Sequence, residues 1–214
     1  MSKSILFRPR VRLAAFGRTF RARTEGVAAV EFALIAPVLA TLFVGSVELS
    51  QAVTVNRRIT QVGSTTGDLV ARVNATIADT DVLDIMKVGS FLLTPFPTTP
   101  LKVTISLIGS STTDATNTKL IWSCAYDASN TNNIVCSCPS PKTASAIPAG
   151  LVGVNDYVVI SNVSYGYKPA LFDVFMKQYY GGSGGIYTMK ETVYLKPRSA
   201  FPSLTIGGTA CPIA

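Results

Sequence analysis

Two sets of side chains in this 214-residue chain could do chemistry: one carboxylate set in an apolar run, and four thiols. The carboxylate is Glu31, the only charge from residue 27 to residue 47. An acid at the centre of a bilayer costs about 3 kcal/mol even on insertion scales, and such residues usually have a function. The chemistry open to it is that of a desolvated anion, which needs a cation close by so that each charge offsets the desolvation of the other. The thiols are Cys124, Cys136, Cys138 and Cys211. Oxidised in pairs they form two disulfides, and as thiolates they could hold zinc. Histidine is absent, which removes the usual general base, the Ser-His triads and the commonest metal ligand. The sequence predicts no catalytic residue, no metal and no cofactor.

The elements that position Glu31 follow from where the charges lie. Seven of the 19 Lys and Arg residues come before Gly26, beside one acid, Glu25. From Val27 onward twelve bases face eleven acids, so the basicity belongs to a tail and not to a fold. No part of the remainder masses Lys and Arg with aromatic residues, and nucleic acid is not expected as a partner. As a helix, the 21 residues from 27 to 47 would cover roughly 30 Å, the thickness of the hydrocarbon layer. The basic flank places the N-terminus in the cytoplasm and sends the rest outward. A secretory signal peptide would have a shorter apolar run and a small-residue cleavage site. A transit peptide would explain the Arg-rich tail but not the run after it.

Around the acid the chain reads E-G-V-A-A-V-E-F: a glycine after the basic tail, then a glutamate at the fifth place after it, then Phe32. Three stretches, R-T-E-G-V-A-A-V-E-F-A-L-I-A-P-V-L at 23–39, V-S-Y-G-Y-K-P-A-L at 163–171 and M-K-E-T-V-Y-L-K-P-R at 189–198, are of use together. With them the chain resembles the TadE/TadG-like pseudopilins, or minor pilins, of the bacterial tight-adherence (Flp-type) pilus. The first stretch is the specific one; the other two are softer. The resemblance implies a membrane peptidase that cuts between Gly26 and Val27, making Glu31 the fifth residue of the mature chain. Glu31 is then the assembly glutamate, meeting the new amine of a neighbouring subunit. Phe32 belongs to the same motif, and Pro37 matches a proline common in these helices. The implied partners are the prepilin peptidase, other pilins and pseudopilins, inner-membrane pilus assembly proteins and the lipid bilayer. The implied place is the bacterial inner membrane, crossed once, with the C-terminal domain periplasmic. The main pilin of such systems is a very short peptide, so the long outer part here implies an accessory subunit. The competing reading is an uncleaved, signal-anchored binding module.

Past residue 47 the helix is expected to continue to about residue 73. Val55, Ile59, Val62, Leu69 and Val73, with Thr66 between, fall at helical spacing, while Arg57, Arg58, Gln61 and Asp68 take other faces. Pro37 should kink the membrane half, and Gly63 and Gly67 should weaken the continuation. Residues 74–214 read as an α+β head, with one antiparallel sheet packed on the long helix in a pilin-like manner. Leu101, Val103, Ile105 and Leu107 alternate with polar residues, as do Leu120, Trp122, Cys124 and Tyr126. Further strands are expected at 134–138, 157–167 and, after a flexible G-G-S-G-G, at 186–196. A short helix at 81–93 would be capped by Asp79 or Thr80.

An oxidising compartment favours disulfides over zinc, whose structural sites usually pair their thiols as C-x2-C. Three pairings are possible. A turn centred near Asn130 would set Cys124 opposite Cys136 and leave Cys138 for Cys211; exchanging Cys136 and Cys138 is the near rival. Asp79, Asp81 and Asp84 lack the spacing and glycine of a calcium loop and read as helix-end and solvated acids.

Overall fold

The computed structural model describes residues 26–130, 134–140, 147–169, 185–198 and 203–212. The basic leader and most of the G-G-S-G-G run lie outside them, as do Ala170 and Leu171 of the second motif. The chain divides into two compact units between Val47 and Glu48.

A single helix, α1 (Val27–Ala71), begins in the first unit. Its first 21 residues are rich in Ala, Leu and Val, good or tolerated helix formers, and its apolar side chains are exposed: Phe32, Leu34, Leu42 and Phe43 among them. Among the described residues it is the one helix long and apolar enough to cross a membrane. Pro37 sits inside it, and the helix continues past that residue without a break in its assignment. The Thr41 hydroxyl donates to the Pro37 carbonyl at 2.7 Å.

In the second unit, the amphipathic part of α1 buries Val55, Ile59, Val62, Thr66 and Val70. The stripe thus departs from expectation at its end. Leu69 is 36% exposed, Val70 takes its place, and the helix stops at Ala71, short of Val73. Four residues from Thr66 bring Val70 back to the buried face, whereas Leu69 falls on the side of the stripe. Gly63 and Gly67 also play a different part from the one expected. Both are buried, and a Cβ on Gly63 would lie 3.2 Å from Val193 and 3.3 Å from Val163. One on Gly67 would overlap Leu195 Cδ1 and fall 3.1 Å from Ser161 Cβ. The two glycines open a shallow groove one turn apart in which the sheet lies against the helix backbone. Between them Thr66 donates to the Val62 carbonyl at 2.8 Å and stands 3.3 Å from the buried Ser161 hydroxyl.

After α1 come β1 (Thr76–Ala78) and α2 (Asp79–Leu92). The helix starts two residues earlier than expected, so Asp79 lies within it, and Ala78 at the N-cap makes no side-chain cap. Asp79 still accepts from the Thr80 N–H at 3.0 Å, and the acids in the first turn suit the positive end of the helix dipole. Gly89 lets α2 cross α1 closely: a Cβ there would be 2.9 Å from Val62 Cγ1.

The main sheet is antiparallel throughout, in the order β4-β3-β2-β5-β6. Its strands are β2 (Leu101–Ser110), β3 (Thr118–Asp127), β4 (Ile134–Ser137), β5 (Tyr157–Tyr167) and β6 (Tyr187–Leu195); β2 runs three residues past Leu107, and the others lie within two residues of their predicted places. The alternation in β2 puts Leu101, Val103, Ile105 and Leu107 on the buried face, joined by Trp122, Cys124 and Tyr126 of β3. The fold is α+β, but with two sheets instead of one. β7 (Ser203–Ile206) pairs in parallel with β1 and turns at Gly207 and Gly208, both at positive φ, into β8 (Thr209–Ala210). Three residues of strand next to a helix carry too little pattern to be read, and β7 is pinned by the fully buried Leu204.

Of the pairings left open, the structure has Cys124–Cys136, directly opposite in the β3–β4 ladder, and Cys138–Cys211, 73 residues apart. The second bond ties the chain after β8 to the end of β4, and closing so long a loop restricts the unfolded chain strongly. The Cys138→Ala/Cys211→Ala double variant should lose roughly 3–5 kcal/mol in guanidinium unfolding. Peptide mapping without reductant should return two linked pairs. Gly67→Val should lower the stability of the head by about 2 kcal/mol through overpacking against Leu195 and Ser161. Ala in place of Gly45, which has no atom within 4 Å of the position a Cβ would take, should leave head unfolding unchanged.

Candidate functional site

The residues singled out for processing and assembly lie at the start of α1. Gly26 forms the last residue before the helix and Val27 its first. A Cβ on Gly26 would meet nothing within 4 Å, and its φ does not lie in the left-handed region. Neither space nor backbone conformation therefore requires glycine there.

Glu31 stands one turn beyond Val27 at the i,i+4 position, which places both on one face. Side chains in a helix lean toward its N-terminus, so Glu31 lies over the turn that begins at Val27. That turn contains no acid of its own. The neighbours of Glu31 at helical spacing are Val27, Ala28, Leu34 and Ile35, and it is exposed along with the apolar Val30 and Phe32. A lone anion thus stands exposed on an apolar helix, one turn from the positive end of the helix dipole. Pro37, six residues on, cannot donate to the Ala33 carbonyl.

The other two stretches of the resemblance are anchors of the head. At the end of β5 the Tyr165 hydroxyl donates to the Pro97 carbonyl at 2.9 Å. A Cβ on Gly166 would press on Ile186 and Pro100 at 3.2 and 3.5 Å. Tyr167 is buried, and burial together with the charge of Glu48 pushes its hydroxyl pKa up. Glu48 is itself buried, in the first turn of the head's share of α1. Its position directly after the apolar run was the signal in the sequence, though nothing there pointed to Tyr167.

Past β6, Lys196 reaches Asp156 at 2.6 Å, and Asp156 also accepts from the Gly153 and Tyr157 N–H groups. The Arg198 N–H donates to the Ala71 carbonyl at 3.0 Å, closing the C-terminus of α1, while its guanidinium lies 3.0 Å from Asp68. The basic-Pro-basic ending thus holds two ends of the fold that the sequence leaves 130 residues apart. Asp84 pairs with Lys87 at 3.5 Å, and among the described residues no cluster of three potential metal ligands occurs.

Residues 26–66 match the model of a family described as TadE-like protein, in agreement with the resemblance carried by residues 23–39. No curated protein and no solved structure matches the chain.

Several carboxylates of the head are held below their ordinary range. Hydrogen bonds from Lys102 and Ser129 bring Asp127 to about 2. A hydrogen bond from Lys196 lowers Asp156, and one from Arg72 lowers Asp68. A depressed carboxylate stabilises the fold above its unfolded value of 3.8 and ceases to do so as pH falls through its folded value. Urea midpoints of the head should therefore be level down to about pH 4 and decline toward about pH 2, and Asp127→Asn should flatten part of that decline.

Proposed function

We propose that a chain carrying this TadE-like segment is a pilin-like minor subunit, a pseudopilin, for the assembly of a tight-adherence pilus. A prepilin peptidase hydrolyses the bond between Gly26 and Val27. Water supplies one oxygen of the carboxylate left on Gly26 and both of its protons go to the leaving nitrogen, so Val27 begins the mature chain as an ammonium group. The observation that carries the reading is a coincidence of position: the family match starts at Gly26, a glycine for which the fold has no steric or conformational use. A requirement that comes from outside the fold, such as a peptidase that accepts only a small residue there, accounts for it.

The rest of the segment fits this reading. Residues 27–47 present apolar side chains on all sides, which suits lipid before assembly and neighbouring helices afterwards. Glu31 supplies the anion for a new Val27 amine of an adjacent subunit, a pairing that neutralises two charges in a medium of low dielectric. Phe32 and the helix around Pro37 make up the contact surface beside it. The basic leader stays in the cytoplasm, and the head, with its two disulfides, folds in the oxidising periplasm. In this role the chain is a structural part handled by other proteins, and it is not itself an enzyme.

Intact mass is the direct test. Membranes from cells with a working prepilin peptidase should yield a protein lighter by residues 1–26, with Val27 at its N-terminus. Gly26→Val should keep the full mass. Glu31→Gln should be cut normally yet fail to cross-link into assemblies with neighbouring pilins. An unchanged mass for the native sequence beside a working peptidase would sink the proposal in favour of an uncleaved, signal-anchored binding module.

A further inference from the structure

Two exposed faces of the head's helices carry large apolar side chains. On α2, Asp81, Asp84, Val88 and Phe91 follow one another at helical spacing, opposite the buried Val82, Met86 and Gly89. This face is acidic toward its N-terminal end and apolar at the other, where Phe91 is 76% exposed. On α1, Leu49, Val53 and Arg57 stand one turn apart, Leu49 being 67% exposed and Val53 46%. Asp84 has Lys87 beside it at 3.5 Å, whereas among the described residues neither Asp81 nor Arg57 has an ion-pair partner.

The two faces match when set antiparallel. Leu49 then meets Phe91, Val53 meets Val88 and Arg57 meets Asp84, with Asp81 the next acid along. At 1.5 Å per residue the three α1 positions span about 12 Å and the three α2 positions about 10 Å. The opposite direction would set Leu49 on Asp84 and leave the apolar ends uncovered. Within one copy the match cannot form. α2 packs on the side of α1 that bears Val62 and Thr66, which lie 2.9 and 3.3 Å from the position of a Cβ on Gly89, and Arg58 donates to the Leu92 carbonyl at 3.3 Å. Val53 lies nine residues before Val62, about 180° around the helix, so the two faces look away from each other. We propose that each face is covered by a second copy of this chain, the α2 face of one head lying along Leu49, Val53 and Arg57 of the next. Faces on opposite sides make a head-to-tail contact, which repeats from copy to copy instead of closing as a two-fold dimer. α2 runs antiparallel to its own α1 as well, with Leu92 at Arg58 and Gly89 at Val62. Successive copies therefore lie parallel, each displaced along α1 by roughly nine residues of helix, or about 14 Å. The contact uses elements of the head alone and needs neither cleavage at Gly26 nor the pairing of Glu31, so its failure would leave the proposed function untouched.

Cross-linking of the full chain is the test. All four native cysteines are in disulfides, so a short bismaleimide added to membranes reacts only with introduced thiols. Val53→Cys and Val88→Cys copies, co-expressed with different tags, should give a mixed dimer, and neither copy expressed alone should give any. One chain bearing both substitutions should give a ladder of dimers, trimers and longer species. Arg57→Glu in the Val53→Cys copy should cut the mixed dimer at least about fivefold through repulsion from the acids, and Asp81→Lys/Asp84→Lys in the Val88→Cys copy should restore it. That rescue separates a lost contact from a folding defect. Val53→Cys paired with Val154→Cys, exposed on the loop before β5, sets the background. A mixed dimer no stronger than this background would overturn the proposal. So would dimers of Val53→Cys alone, which would mean that α1 packs on the α1 of its neighbour, a charge reversal that fails to restore the dimer, or a double variant that stops at dimers.

Discussion

The head depends on the close approach of α1 to β5 and β6. At Gly63 and Gly67 the helix has no side chain, and Val163, Val193, Ser161 and Leu195 fill the space against its backbone. Valine, leucine and threonine methyls make this a dense contact, and dense contacts tolerate little added volume. The Thr66 hydroxyl, already bonded to the Val62 carbonyl, sits opposite Ser161, so the polar groups buried at the narrowest point have partners in each other. On the neighbouring side of the helix Gly89 admits α2 by the same device. One helix therefore positions both the sheet and the second helix, and the segment that precedes it in the chain is continuous with this core element.

That continuity separates two tasks along one helix. The head holds residues from Glu48 onward through packing, a capped C-terminus at Ala71 and the ion pairs of Asp68. Residues 27–47 belong to a unit of their own, and their large apolar side chains are exposed. Under the proposed function that segment answers to lipid, peptidase and neighbouring subunits. Gly26 and Glu31 fit this division: nothing crowds the one, and the other is exposed. The stability of the head in turn rests on residues late in the chain: Lys196, Arg198, Leu204 and Cys211 all close contacts with elements formed far earlier.

Much of this was legible in the sequence, and the misses share a cause. Period-two alternation exposed the strands because each keeps one face in the core, and the apolar run exposed the helix because nothing interrupts it. The choice between Val70 and Leu69, the role of Gly63 and Gly67, and the small second sheet depend on which element lies opposite. Glycine in a helix reads as a weakness until a partner strand is seen against it. Likewise a buried Tyr167 near Glu48, or an arginine that closes a helix 130 residues away, has no local pattern from which to be inferred.

By itself the sequence determined the order and type of the main elements, the residues on which the proposed site rests, Gly26, Val27 and Glu31, and the absence of histidine chemistry. Those properties are set by local periodicity, by composition and by spacing along the chain. Only the tertiary structure decided the disulfide pairing, the parallel pairing of β1 with β7, the groove at Gly63 and Gly67, and the closing of α1 by Arg198. These are contacts between residues distant in the chain. Their energies come from shape and charge brought together by folding, so no window of sequence contains both partners.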